Sequence, residues 1–504
     1  MLSQTILVLL SGLLLTRVLT SSIMAQNSSE NGLHPPQIPL DVDNYPLAPP
    51  ELSLKQVHIY VRHGERTPVK VRLSDPPASI PAHWLLCRTA RHFRASMATF
   101  ENAIQSIPHK LNGTDFLPVE RIVERADGTA REGECLLGEL TDVGRQSTFN
   151  YGHALRKLYI EKLGFLPDTL HDNNEAYFRY RLISSTNVPR TVESLQQIIH
   201  GLYPLSKHQP GVTPQLRIRN REHENLVGNT FSCKRLEQLL IGFAHSAATA
   251  YNRVLEPLDA KLSRYIGGNP VRIDGQPRAS GILDTIRAST AHGMKVPPEF
   301  EDESVLGLIE KAVTAEWFAD KTEEVRRLGM GRLLGELEKK MSAAAYDADA
   351  YTPRRNVNTS NRLDPLGSTP HILIHSTHDT AIAAILSTLD VYDEKWPAFT
   401  ASVTFELFSK TPVSHKDSPS YMQTVLNALS PTKQAPTEHF VRAHYQNRTL
   451  TLPLCADRNN HLEGHPELCT LAAFVSRMRA LAPKEGDWEQ ECAIHLSRAG
   501  QEQT

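Results

Sequence analysis

The sequence predicts a layered α/β domain with a smaller, mostly helical domain inserted into it. Three short apolar runs rich in β-branched and aromatic residues read as strands that end in polar loops: 55–61 (KQVHIYV), the run that starts at Arg179 (RYRLISS), and 371–376 (HILIHS). The second and third runs continue into segments with helical periodicity. Strands that alternate with amphipathic helices are typical of α/β layers.

Apolar spacing predicts the helices of these layers. It places apolar residues on one face over Thr141 to Leu158, Val192 to Leu202 and Ile382 to Leu389. Pro189 suits the first turn of the second helix. No internal repeat is evident.

The central part of the chain differs from the rest in composition and in apolar spacing. Residues 206–365 are charged and Ala-rich, and Val305, Ile309, Val313 and Trp317 recur at four-residue steps without strand units. Strand and helix signals resume at 371. The predicted organisation is a signal peptide (1–25), a Pro-rich extended leader (26–54), an α/β domain (55–205 and 366–495) and a mostly helical inserted domain (206–365).

The charge balance argues against a nucleic-acid partner. The chain has 54 Lys plus Arg against 56 Asp plus Glu, a formal net charge of -2. Binding to a phosphodiester backbone needs a surplus of positive charge on one face. At 40% hydrophobic and 22% charged residues, the composition is that of a folded protein.

The first residues predict a secretory signal. Ile6 to Leu15 is an apolar run followed by small and polar residues through Ala25, and Arg17 interrupts its extension. A signal-anchor is the alternative. No later segment is long and apolar enough to span a bilayer, so we expect no stable membrane span after signal removal. The expected location is secreted or lumenal, with vacuole or lysosome left open.

The cysteines and sequons agree with that compartment. Six cysteines without a CxxC motif favour three disulfides, and six buried thiols in a cytosolic protein are the alternative. Each candidate glycosylation site has Ser or Thr two places on. These sites are Asn27, Asn112, Asn358 and Asn447.

Residues suited to phosphate binding follow the three predicted strands. Side chains that follow separate strands of an open α/β sheet converge at the carboxyl ends of those strands. We therefore expect one site, formed by Arg62, His63, Arg66, Arg190, His378 and Asp379.

This set predicts phosphoryl transfer without a metal or other cofactor. Guanidinium groups bind phosphate oxygens bidentately, and three of them replace a metal in stabilising the transferring group. A neutral imidazole is a competent nucleophile. Asp379 is the natural proton donor, and a bound phosphate makes its carboxyl harder to ionise, which favours activity at acidic pH.

Some of the candidate residues also have a structural interpretation without a role in catalysis. An arginine after a strand, such as Arg190, is usually a surface ion pair. His58 lies within the first strand pattern and is expected to be a packed core residue. Lys70 and Arg72 lie just past the first loop, where solvated surface is favoured over a role in the substrate rim.

The motifs resemble the histidine acid phosphatase family. RHGERTP at 62–68 resembles the RHGxRxP signature, and HD in STHDTA matches the second signature. STNVPRT resembles the segment with the family's third phosphate-binding arginine, and LTDVG resembles a shared helix start. LDVYDEKWPAF follows HD as in prostatic, lysosomal and lysophosphatidic acid phosphatases. The resemblance covers 55–210 and 370–495.

The resemblance implies a phosphoglycerate mutase-like fold, with a central mixed sheet and helices on both faces, and a phosphohistidine mechanism. His63 would be the nucleophile and Asp379 the acid that protonates the leaving alcohol of a small phosphomonoester. Phosphate would be held by Arg62, Arg66, Arg190 and His378. The resemblance also implies pairing of Cys233 with Cys492 and Cys455 with Cys469, which leaves Cys87 with Cys135. A homodimer is left open.

Two departures and several rival functions stand beside this prediction. Ser184 and Asn187 replace an arginine and an aspartate common among relatives. The rivals are a phosphate-shifting mutase, which the HD pair disfavours, and a secreted binding protein without catalysis. Phytase-type and lysophosphatidic acid phosphatase specificities are further alternatives.

Overall fold

The computed structural model describes residues 38–89, 92–96, 116–172, 175–181, 190–349, 369–410, 438–484 and 486–493. The strands in these ranges are β1 (Leu52–Arg62), β2 (His92–Ser96), β3 (Phe116–Glu120), β4 (Ala176–Tyr180), β5 (Leu216–Arg217), β6 (Ile372–Thr377), β7 (Ser402–Lys410), β8 (His439–Tyr445), β9 (Arg448–Leu450), β10 (His461–Leu462) and β11 (His465–Thr470).

The helices described are α1 (Asp142–Leu155), α2 (Arg190–Leu202), α3 (Lys234–Leu255), α4 (Asp259–Leu262), α5 (Ala279–Ala291), α6 (Glu303–Phe318), α7 (Glu323–Arg326), α8 (Arg332–Asp349), α9 (Asp379–Thr388), α10 (Leu471–Leu481) and α11 (Asp487–Cys492). A π-helical turn extends α1 to Lys162. Within the described part of the chain, no helix has the length and apolar character needed to cross a bilayer.

A mixed sheet forms the centre of the molecule, which confirms the predicted fold class. Its strand order is β10-β11-β8-β7-β1-β6-β4-β5, with β9 paired to β8. β1, β6, β4 and β5 run parallel to their neighbours in this series. β7 is antiparallel to both β1 and β8, and β8 is antiparallel to β11. β2 and β3 form a separate hairpin.

Helices cover both faces of the sheet because side chains alternate along the strands. On one face, Val57, Ile59 and Val61 of β1 pack in a buried cluster with α1 and α2. On the other face, Tyr60 of β1 belongs to a cluster with α8, α9 and α10. His58 also lies on that second side, fully buried, as expected of a core residue.

The central region contains a second core of its own. Residues of α3, α5 and α6 form a buried cluster that also receives Leu73 and Ile80 from the loop after β1. In contrast, Leu333 and Leu337 of α8 pack with the sheet. The region also contributes the short strand β5, paired with β4. The domain boundaries at 205 and 366 stay a prediction.

The described part of the leader packs against the sheet. The side chains of Leu40, Val42 and Tyr45 lie against the α1 and α2 cluster. The hydroxyl of Tyr45 donates to the carboxylate of Glu406 in β7. β1 begins at Leu52, inside the segment that the sequence assigned to the leader. Three side chains of this segment therefore attach it to the folded domain, while residues such as Leu47 stay exposed.

The structure contains three disulfides. Cys233–Cys492 and Cys455–Cys469 are the pairs that the resemblance implied, and Cys87–Cys135 is the pair that these two left over. The Cys233–Cys492 bond links the start of α3 to the end of α11 across 259 residues of sequence. Closing so long a loop removes much of the freedom of the unfolded chain.

Candidate active site

Two neighbouring parallel strands bring both signature motifs to one edge of the sheet. Arg62 at the end of β1 is in register with Thr377 at the end of β6. The backbone N–H of His63 donates to the carbonyl of Thr377 at 3.1 Å. As a result, the rings of His63 and His378 lie with their centroids 5.2 Å apart. Residues more than 300 positions apart in sequence thus share one site.

Two glycines allow the loop after β1 to touch the start of α1. An added Cβ on Gly64 would lie 2.4 Å from the carbonyl oxygen of Gly144, and one on Gly144 would lie 2.1 Å from that of Glu65. Thr141 caps α1 and its N–H donates to the carbonyl of Glu65 at 3.0 Å. The backbones of the RHGE and LTDVG motifs therefore pack directly against each other.

The three predicted arginines converge beside this loop. The guanidinium carbons of Arg62 and Arg66 lie 4.1 and 5.7 Å from the ring centre of Phe399. Arg190, the first residue of α2, donates through Nη1 to the carbonyl of Gly138 at 3.1 Å. Gly138 in turn donates to the carbonyl of Pro68, on the same loop as Arg66.

The terminal Nη nitrogens of these arginines donate to carbonyl and carboxylate oxygens of the protein. Arg62 donates to the carbonyl of Pro397 at 2.5 Å and pairs with Asp379 at 2.6 Å. Arg66 donates to the carbonyl of Thr67 at 3.0 Å and to Asp284 at 2.8 Å. The guanidinium groups are thereby held in place before any ligand binds.

Four buried nitrogens at the site have no hydrogen-bond partner: Nε of Arg62, Nε of Arg66, Nε of Arg190 and Nε2 of His378. Buried polar groups are normally paired, so such atoms call for an explanation. Nε atoms of other arginines away from the site, such as Arg121, Arg179 and Arg326, also lack a partner, so one such atom alone is weak evidence. Four such nitrogens at one site suit an anion with several acceptor oxygens.

His63 is held as a neutral imidazole with a free lone pair. Burial, aided by the charges of Arg190 and Arg62, places the pKa of His63 well below its ordinary value. Its Nδ1 lies 2.8 Å from the carbonyl oxygen of Gly64, which only accepts. The proton of the neutral ring therefore resides on Nδ1, and the lone pair on Nε2.

Asp379 is an ionised carboxylate in this state. Burial alone would raise the pKa of Asp379, but the charges of Arg62 and Arg66 outweigh burial and lower it to about 2. Its Oδ1 accepts from the N–H of Thr380 at 2.8 Å. The expected rise in this pKa concerns the phosphate-bound state, and it stays a prediction.

Three residues at the site were not predicted from the sequence. Trp396 donates through its indole N–H to Asp379 at 3.0 Å, and Phe399 lies under two arginines. Both fall within LDVYDEKWPAF, a segment whose likeness to relatives was the one available signal. Asp284 of α5 pairs with Arg66, and no motif surrounds it.

The remaining candidate residues differ in their exposure to solvent and in their contacts. Lys70 is exposed, whereas Arg72 is partly buried and lies 3.9 Å from Asp284. Asn447 is exposed, and its side-chain amide donates to the carbonyl of Pro39 at 2.8 Å. Five further candidates lie outside the described residues: Ser184, Asn187, Asn27, Asn112 and Asn358. Among the described residues, no group of three or more His, Cys, Asp or Glu could hold a metal ion.

The fold and the site define an α/β protein with a buried cluster of arginines beside two histidines and a carboxylate. The model of the histidine phosphatase superfamily (branch 2) matches residues 53–446. The chain therefore belongs to this superfamily, which confirms the predicted family and enzyme class, a phosphatase acting on small phosphate substrates.

Individual relatives agree with the family match. A probable acid phosphatase of Schizosaccharomyces pombe is 32% identical over 493 residues, with 92% of this chain and 98% of that protein covered. Lysophosphatidic acid phosphatase type 6 of Mus musculus is 25% identical over 447 residues, covering 88% of each chain. The Hafnia alvei phytase bound to myo-inositol hexakis sulphate superposes with a TM-score of 0.51 at 16% identity, over 89% of this chain and all of that one. This last likeness concerns the fold.

Proposed function

We propose that this protein is an acid phosphatase that hydrolyses phosphomonoesters through a phosphohistidine intermediate, without a metal. The observation that carries the proposal is the convergence of four unpaired buried nitrogens around a neutral imidazole. Three guanidinium groups and His378 would hold the phosphoryl oxygens, and they stabilise the charge on those oxygens in the transition state.

In the first step, Nε2 of His63 attacks phosphorus and the bond from phosphorus to the alcohol oxygen breaks. The carbonyl of Gly64 keeps the Nδ1 proton in place and stabilises the positive charge that develops on the ring. Asp379 gives its proton to the leaving oxygen, which departs as an alcohol.

Asp379 must first take up that proton. A bound phosphate brings negative charge beside the carboxylate and competes for Arg62, its ion-pair partner at 2.6 Å. Both effects raise the pKa of Asp379 from the low value of the free site. In the second step, water attacks the phosphohistidine, Asp379 accepts a proton from that water, and inorganic phosphate leaves.

The secretory pathway is the proposed location. Three disulfides support it, because such bonds persist in oxidising compartments. The apolar run at Ile6 to Leu15 supports it further as a signal, although it lies outside the described residues. The exposed Asn447 is the proposed glycan acceptor within the described chain.

The physiological ester is the open part of the proposal. Relatives named lysophosphatidic acid phosphatase and a phytase of similar fold make both specificities candidates. Retention of both His63 and Asp379 disfavours a catalytically silent binding protein.

The test is to trap the intermediate. Wild-type enzyme incubated with a ³²P-labelled phosphomonoester in the presence of EDTA and quenched in base, where a phosphorus–nitrogen bond survives, should carry label on His63. His63→Ala should abolish both label and turnover, whereas His245→Ala, at an exposed histidine of α3, should retain both. Turnover that requires added divalent metal, or full activity in His63→Ala, contradicts the mechanism.

A further inference from the structure

Helix α5 of the central region presents a carboxylate to the phosphate-binding loop. Asp284 accepts from Nη2 of Arg66 at 2.8 Å and from the backbone N–H of Val69 at 3.0 Å. One turn earlier on α5, Gly281 lies against the guanidinium of Arg72, where an added Cβ would come within 2.5 Å of Nε. The same face of α5 therefore contacts both ends of the loop segment 66–72.

The side chain of Asp284 is more accessible to solvent than that of the arginine it pairs with. Its side chain is 15% exposed, against 7% for Arg66, and it contacts the backbone of Val69, which is 42% exposed. A phosphate bound to Arg66 would therefore lie close to this carboxylate, which also contacts the exposed part of the loop.

The carboxylate also acts on the rest of the anion site. Burial lowers the pKa of Arg62 to about 10 and that of Arg190 to about 9, and in both cases the charge of Asp284 opposes the fall. At the rim, Asp284 lies 3.9 Å from Arg72 and offsets its positive charge. Lys70 is exposed to solvent, where its charge is screened.

We propose that Asp284 is a specificity-determining residue that favours phosphomonoesters whose leaving group carries no second negative charge close to the scissile phosphate. The proposal rests on the phosphatase function proposed above. The three arginines bind the transferring phosphoryl group, while Asp284 repels any further anionic group that extends outward past Arg66.

A pair of esters of similar size tests this selectivity. Glycerol 1-phosphate has a neutral leaving group, whereas the leaving group of 3-phosphoglycerate carries a carboxylate. We expect wild-type kcat/KM to favour glycerol 1-phosphate by about tenfold, the effect of one like charge several ångströms away in a partly solvated site. Asp284→Asn and Asp284→Ala should both reduce this preference to about twofold. Asp284→Glu keeps the charge and should keep the preference.

Asp259→Asn is the matched control, because Asp259 pairs with Arg272 in the same central region and has no contact with the arginine cluster among the described residues. It should leave the preference unchanged. A purely structural role for Asp284 predicts equal losses for the two esters, and that result overturns the proposal, as does a wild-type enzyme without preference. That wild-type comparison stands even if a variant fails to fold. Wild-type enzyme that hydrolyses p-nitrophenyl phosphate but neither ester also shows no preference and overturns the proposal alone. Wild-type enzyme that hydrolyses none of the three esters refutes instead the phosphatase function on which the proposal rests.

Discussion

The indole N–H of Trp396 donates to Oδ2 of Asp379 at 3.0 Å, and this oxygen also pairs with Arg62 at 2.6 Å. Trp396 is itself fixed by the central region: its backbone N–H donates to Glu310 of α6 at 2.5 Å, and its carbonyl accepts from Arg287 of α5 at 3.0 Å. The position of the proposed acid therefore depends on helices outside the layered domain.

Replacing the indole should change the pH dependence of catalysis. Trp396→Phe keeps an aromatic ring but removes a hydrogen bond that stabilises the ionised carboxylate, so the pKa of Asp379 rises by about one unit. More of the acid is then protonated in the enzyme–substrate complex at a given pH, and the decline of kcat with rising pH should begin at a higher pH. The measurement is a profile of kcat over pH for an alkyl phosphate.

Trp317→Phe is the control, because Trp317 contacts Trp396 edge to face at a centroid distance of 6.0 Å and its own side chain hydrogen-bonds Glu316. Its pH profile should match the wild type. Identical profiles for Trp396→Phe and wild type would rule out the positioning role.

Local sequence patterns were sufficient to predict strands β1 and β6. The apolar runs that became β1 and β6 also located Arg62, His63, His378 and Asp379, since polar residues that follow buried parallel strands share an edge of the sheet. Asp284 and Trp396 could not be found in this way. Their contacts arise from the packing of α5 and α6 against loops of the other region, and no periodicity in either segment encodes that packing.

Removing the carboxyl of Asp379 should lower kcat most for esters with poor leaving groups. Asp379→Asn removes the proton donor, and we expect kcat for glycerol 1-phosphate to fall by about 10²–10⁴-fold. Because p-nitrophenol leaves without protonation, kcat for p-nitrophenyl phosphate should fall far less. Phosphate binding should be largely intact, because the three arginines remain. The measurements are kcat for both esters and the inhibition constant of inorganic phosphate. Equal losses for the two esters would exclude an acid role.

A buried carboxylate in β7 should make stability depend on pH. Glu406 is fully buried and accepts from Tyr159 at 2.9 Å, from Arg442 at 2.8 Å and from His444 at 3.1 Å. Burial alone would raise the pKa of Glu406, but His444 and Arg442 outweigh burial and lower it well below the ordinary value. The resulting stabilisation is present above the unfolded pKa of about 4.3 and is lost as the pH falls toward the folded pKa.

Glu406→Gln should therefore lower the free energy of unfolding by about 3 kcal/mol or more at pH 7, since it leaves Arg442 buried without its counter-charge. The difference from the wild type should shrink below about pH 4. Urea unfolding at several pH values measures both effects. Glu463→Gln, at an exposed surface pair with Arg458, should be neutral throughout. A deficit that does not vary with pH would contradict the ionised state of Glu406.

The contact between the two glycines should tolerate no side chain. Gly144→Ala places a Cβ 2.1 Å from the carbonyl oxygen of Glu65, a backbone atom that cannot move without displacing the loop that carries His63 and Arg66. We expect both a lower midpoint of thermal unfolding and a loss of kcat/KM of at least about tenfold, because small displacements of catalytic groups are costly. Gly307→Ala in α6 is the matched control: nothing lies within 4 Å of its added Cβ, so helix propensity should stabilise it by about 1 kcal/mol with unchanged kinetics. If Gly144→Ala behaved like Gly307→Ala, the close approach of α1 to the RHGE loop would not be required for activity.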